Sequence, residues 1–119
     1  MKNQKIYEHA SKLSVFNECN IKMPVRINFY LQKNIRLIQE AATEIEKARF
    51  EIGAQFGSPN ESQTGYEIPK ENIAEATKEL QDLFNLEQDL PLHVFKLDDF
   101  DGIELTYQQM SAIMFMIEE

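Results

Sequence analysis

Apolar side chains recur at Leu31, Ile35, Ile38, Ala42, Ile45, Ile52 and Phe56 in steps set by threes and fours, with Arg49 the one polar member of the row. Residues three and four apart share a face of an α-helix, so the spacing predicts a single long helix carrying an apolar stripe. A helix cannot bury such a stripe against itself. Other helices of the chain, a second copy or a partner must cover it, which makes Leu31, Ile35, Ile38, Ile45, Arg49 and Ile52 the candidate interaction residues. Inside a buried seam Arg49 needs an acidic partner. At the seam's edge it lays its stem over apolar surface instead.

The flanking patterns predict shorter elements. Ile6, Ala10, Leu13 and Phe16 follow helical spacing, giving an amphipathic helix over 3–17. Met23, Val25, Ile27 and Phe29 alternate with Pro24, Arg26, Asn28 and Tyr30, a period of two that predicts a short strand over 23–29. Pro24 confines it to an edge or a strand start. The long helix then begins near Asn28 and runs to about Gln55, with Gly57 as its stop; the competing reading starts that helix at Pro24. Residues 57–69 (GSPNESQTGYEIP) have no periodicity and are expected to form a flexible loop. Ile73, Ala76 or Thr77, Leu80, and Leu83 or Phe84 give a third helix over 70–85, able to lie antiparallel on the long one. Leu90, Leu92 and Val94 alternate with His93, Phe95 and Leu97, a strand over 90–97 with both faces covered. Ile103 and Leu105 suggest a brief further strand. Thr106 and Gln109 form a capping box that opens a last helix buried through Met110, Ile113, Met114 and Ile117. The expected fold is one α+β domain over 1–119, mainly helical. It has one long central helix, shorter helices, and a small two- or three-stranded sheet from 23–29, 90–97 and 103–105.

Composition narrows the class. Hydrophobic residues make up 43% and charged residues 27%, which argues against wholesale disorder. A single cysteine, Cys19, excludes an internal disulfide and a four-cysteine zinc site. The N-terminal stretch MKNQKIYEHASKLSVF has no continuous apolar core, so it does not read as a secretory signal. No apolar run is long enough for a bilayer, and a soluble cytosolic protein is expected. The net charge of −8 hides an asymmetry: residues 1–50 hold nine Lys and Arg against five Asp and Glu, residues 51–119 three against fifteen. Such a split can guide association with a partner of matching charge or favour head-to-tail self-contact.

Candidate chemistry is sparse. In the acidic turn Asp98–Glu104, setting Gly102 as the glycine of a calcium loop puts Asp99 and Asp101 in register but Leu97 and Gln108 at the two ends, so the motif fails. His9, His93 and Cys19 show no ordering that suggests a nucleophile with its base, and no catalytic residue or cofactor is expected. Lys22, Arg26, Lys33 and Arg36 form a basic patch interleaved with Phe29 and Tyr30, a pattern that can grip a nucleic-acid strand. The acidic chain as a whole argues against that partner. Glu71, Glu75, Glu79 and Asp82 share one face of the third helix. Met110, Met114 and Met116 are expected mainly as core, with a docking surface as the alternative.

Several segments together resemble a family of small uncharacterised proteins encoded in phage and prophage genomes. They are Ala10-Ser11-Lys12-Leu13, Met23-Pro24-Val25-Arg26-Ile27-Asn28-Phe29, the long charged helix, the block Lys96 to Thr106, and the ending Phe115-Met116-Ile117-Glu118-Glu119. The likeness covers most of the chain apart from 57–69. It rests on packing and turn patterns, implies no activity, and supplies no catalytic residues. It implies a phage context, in a bacterial cytoplasm or in the virion. The functional expectation is a non-enzymatic protein that binds itself or another protein as an assembly or structural component. The alternative is an inhibitor of a host enzyme or defence system, acting by protein binding or by sequestering a small nucleotide ligand.

Overall fold

A computed structural model describes residues 1–16, 21–59 and 65–118. Among these, helix α1 spans Asn3–Leu13, α2 Val25–Phe56, α3 Ile73–Asn85 and α4 Tyr107–Ile113. The short strands β1 (Ser58–Pro59) and β2 (Tyr66–Glu67) pair antiparallel, and β3 (Phe95–Lys96) and β4 (Ile117–Glu118) pair parallel. The fold is α+β and mainly helical, with α2 as its spine. An α-helix rises about 1.5 Å per residue, so the 32 residues of α2 run for roughly 48 Å. That length accounts for the elongated envelope of 56 × 29 × 21 Å.

The stripe is covered from within the chain. Leu31, Ile35, Ile38 and Ile45 are buried in one core with Ile6 and Leu13 of α1, Phe95, Phe100, and Ala112 and Ile113 of α4. α1 is held on the middle of α2 by the Tyr7 hydroxyl, which donates to the Glu46 carboxylate and whose pKa that bond pushes up. α3 runs back along the second half of α2: the Asn72 side chain donates to the Phe56 carbonyl at 3.0 Å, and Phe84 sets its ring edge to Tyr7. The N-terminal residues close this end. Buried Asn3 donates through Nδ2 to the Leu83 carbonyl and through its backbone N–H to the Leu86 carbonyl, satisfying acceptors that a helix terminus leaves open.

The small sheets differ from expectation. Residues 23–29 form no strand: Pro24 stands just before α2, and its carbonyl accepts from the Asn28 N–H at 3.0 Å, so the helical ladder starts there. The structure follows the competing reading at this point. Within 90–97 only Phe95–Lys96 is a strand, and its partner is Ile117–Glu118 rather than 103–105. The reason lies in Asn34, fully buried in the middle of the α2 stripe. Its Oδ1 accepts from the His93 N–H and its Nδ2 donates to the His93 carbonyl, both at 2.8 Å. Those are the groups a strand neighbour would have used. The His93 ring stacks on Tyr30 at 4.0 Å and meets Phe95 edge-on, while its Nε2 is enclosed without a partner among the described residues.

Elsewhere the deviations are of phase. The predicted loop over 57–69 carries the β1–β2 pair at its ends; residues 60–64 lie outside the described residues, as does Cys19. Gly57 stops α2 in an extended conformation, not a left-handed one. A Cβ there would come within 2.3 Å of the Glu67 carbonyl oxygen, so glycine is what lets β2 approach. At the far end the Thr106 hydroxyl accepts from the Gln109 N–H and Gln109 Oε1 from the Thr106 N–H, the expected capping box. α4 then tightens into a 3₁₀ turn at Met114–Met116. The tighter turn exchanges faces: Met116 is buried and Met114, expected inside, is exposed.

Two measurements test this account. Asn34→Ala strands the His93 N–H and carbonyl and is expected to lower stability in urea unfolding by about 2–3 kcal/mol, with Asn34→Asp, which keeps only the acceptors and buries a charge, no better. The second concerns His9, whose ring lies on Phe115 at 3.8 Å. Burial first, then Lys12 and Lys5, hold its pKa below the ordinary 6.5, with Glu8 opposing. The unfolded chain therefore binds the proton more readily, so stability is full above pH 6.5 and falls as pH drops from there through the lowered pKa. Unfolding midpoints in that window should fall more steeply for the native chain than for His9→Gln; equal slopes would remove His9 as the cause.

Candidate interaction face on helix α2

The phase of α2 decides which predicted residues can meet a partner. Ile27, Leu31, Asn34, Ile38, Ala41 and Ile45 occupy the inward side. One hundred degrees per residue then carries Val25, Phe29, Lys33 and Arg36 to the opposite side. Val25 is 86% exposed and Phe29 61%. With Asn28, Gln32, Lys33 and Arg36 they line a shallow groove of about 320 Å³. Period-two alternation had put Val25, Ile27 and Phe29 on one side of a strand. The helix instead sends Ile27 inward and the other two out.

Of the candidate interaction residues, Leu31, Ile35, Ile38 and Ile45 belong to the chain's own core and present no surface to a partner. Arg49 is exposed, bonded to Glu46 at 2.8 Å and lying over the Phe50 ring, so it sits at the edge of the seam and not within it. Ile52 is half-buried beside Gly53, Tyr66 and Leu80. A Cβ on Gly53 would fall 2.6 Å from the Tyr66 ring, so that contact is also closed within the chain.

The basic patch divides. Lys22, Lys33 and Arg36 are exposed and make no ion pair among the described residues. Arg26 turns away, over the Tyr30 ring at 5.9 Å and 3.9 Å from the Asp99 carboxylate. Asp99 is engaged further by the Lys96 N–H at 3.0 Å, so this acid of the 98–104 turn serves local structure. No group of three or more His, Cys, Asp and Glu able to hold a metal occurs among the described residues.

Two further features make the face suited to negative charge. α2 begins with no side-chain cap and no acid in its first turn. Its free N–H groups and the positive end of its dipole therefore add to the field of the cations. The face is also held firmly from behind. Phe29 meets Tyr30 edge-on at 5.3 Å, Tyr30 stacks on His93, and Asn34 anchors His93. Sequence reasoning found the cations with Phe29 among them and missed Val25, which joins Phe29 on the exposed side. The signal was available in the inward phase of Asn34, extended back two and a half turns to Val25 on the opposite side. No helix among the described residues is long and apolar enough to cross a membrane.

The two sides of α2 should respond oppositely to substitution. Val25→Ser and Phe29→Ser are expected to change stability by less than about 0.5 kcal/mol. Leu31→Ala should cost about 2–5 kcal/mol. Thermal and urea unfolding of the three variants decides it: a large loss in Phe29→Ser would make that ring core. No protein-family model matches the chain, and no curated protein and no solved structure matches it either.

Proposed function

We propose that this chain is a non-enzymatic protein-interaction protein, phage-encoded as its sequence resemblance implies, that presents the outward face of the first half of α2 to an acidic, partly apolar protein surface. The observation that carries the reading is the exposure of Val25 and Phe29 beside the unpaired Lys33 and Arg36. An aromatic ring held by its neighbours supplies contact area at little entropic cost, and flanking cations supply steering and register. With the stripe buried in the chain's own core, this reading takes the outward side of α2 as the contact surface in place of the inward side first expected.

A photo-crosslinking residue in place of Gln32 tests this in a bacterial lysate. The expected result is an adduct to a protein, this chain or another, that weakens as salt rises and disappears in Lys33→Glu with Arg36→Glu. Salt sensitivity follows because exposed charges are screened beyond about 10 Å at 0.1 M. Equal adduct formation in the double variant, or no protein adduct at all, overturns the proposal.

A further inference from the structure

The acidic row on α3 is as unpaired as the basic row on α2. Glu71, Glu75, Lys78, Glu79 and Asp82 are exposed and make no ion pair among the described residues. They cannot reach the basic face of their own chain. α3 packs on the second half of α2, with Leu80 beside Gly53, Asn72 beside Phe56, and Phe84 against Tyr7, the partner of Glu46. Arg36 lies ten to twenty residues before those points, about 15–30 Å along the axis. The two rows are separated by more than a screening length at physiological salt.

The rows also complement each other in sign over an equal span of seven residues. Along one side of α2 the order is Lys33, Arg36, Glu40, in steps of three and four; along one side of α3 and the turn before it, Glu71, Glu75, Lys78, in steps of four and three. Laid parallel with Lys33 against Glu71, Glu40 falls against Lys78 and Arg36 comes within one residue, about 1.5 Å, of Glu75, so each charge meets its opposite. The antiparallel alignment about Arg36 and Glu75 sets Glu40 against Glu71. The parallel register thus accommodates Glu40 and Lys78, the two charges that would otherwise count against each face.

Resting on the reading of the α2 face as a binding surface, we infer that its partner is the α3 row of a second copy of this chain. The contact is heterologous: each copy offers one basic and one acidic row. Every added copy leaves both kinds of row open at the ends, so association runs head to tail.

Light scattering on the full chain across a concentration series at low and at high salt tests this. At low salt the mass should climb with concentration beyond twice the monomer value of 13.9 kDa, and at high salt return to it. Arg36→Glu alone and Glu75→Arg alone should each stay at the monomer mass, because each sets like charges against each other. Their equimolar mixture should recover association, since the altered α2 row of one then faces the altered α3 row of the other. All these positions are exposed, so helix content by circular dichroism should be unchanged. A native chain that stays monomeric at every concentration in low salt overturns the inference whatever the variants do. So does association of either variant alone at the native level, or a mixture that fails to recover. A monomeric chain that still gives the Lys33- and Arg36-dependent adduct to another protein removes only the second-copy inference; loss of that adduct as well removes the binding face.

Discussion

A helix of 32 residues cannot exist alone with one side apolar, and the rest of this structure is arranged around that requirement. The stripe through Ile27, Leu31, Ile35, Ile38 and Ile45 is covered by α1 and α4, and by Phe95 and Phe100 from the segment between α3 and α4. These covering pieces are short. α4 has seven residues and each sheet two strands of two residues, lengths with little stability of their own. They are held because burying the stripe also buries them, at a gain of about 25 cal/mol per Å² of apolar surface.

Apolar packing determines that the pieces collapse onto α2, while buried polar side chains determine where each piece stops. Asn34 takes the N–H and carbonyl of a single residue, His93, and so locks the incoming segment one residue at a time. Asn3 performs the matching task at the other end, tying the N-terminus to the Leu83 carbonyl of α3 and to the Leu86 carbonyl just past its end. Each is buried, so sliding the segment by one position would leave an amide without partners in the core, where water cannot compensate. The Asn34 clamp reaches the surface too. Through the His93 and Tyr30 stack it fixes the backing of Phe29, which links core register to the shape of the outward face.

The outward face follows from the same geometry. Once one side of α2 is committed to the core, whatever lies half a turn away faces water, whether or not it is polar. Along most of the helix that side is charged, as a solvated face should be. Over its first turns it is not, and Val25 and Phe29 stay exposed among lysines and arginines. Exposed apolar residues set in a charged rim are the usual composition of a contact surface. The charges there lie far from the α3 acids along the length of the body, so the elongation set by α2 keeps opposite rows of one chain apart.

Legible from the order of residues were the long helix, its apolar stripe, the third helix, the Thr106 cap, the mainly helical class and the asymmetric charge. Each is written in contacts between residues three or four apart, or in a local terminus chemistry that does not depend on the rest of the chain. Tertiary structure alone decided what covers the stripe, and therefore that Leu31, Ile35, Ile38 and Ile45 are core and not a docking seam. It also decided the start of α2, since Met23 to Phe29 satisfies both a period of two and, through Ile27, the inward phase of a helix. The pairing of Phe95–Lys96 with Ile117–Glu118 joins residues some twenty positions apart, and Asn34 meets His93 across fifty-nine. No local pattern encodes such partners. They exist because the chain closes on α2, and that closure depends on every covering piece at once.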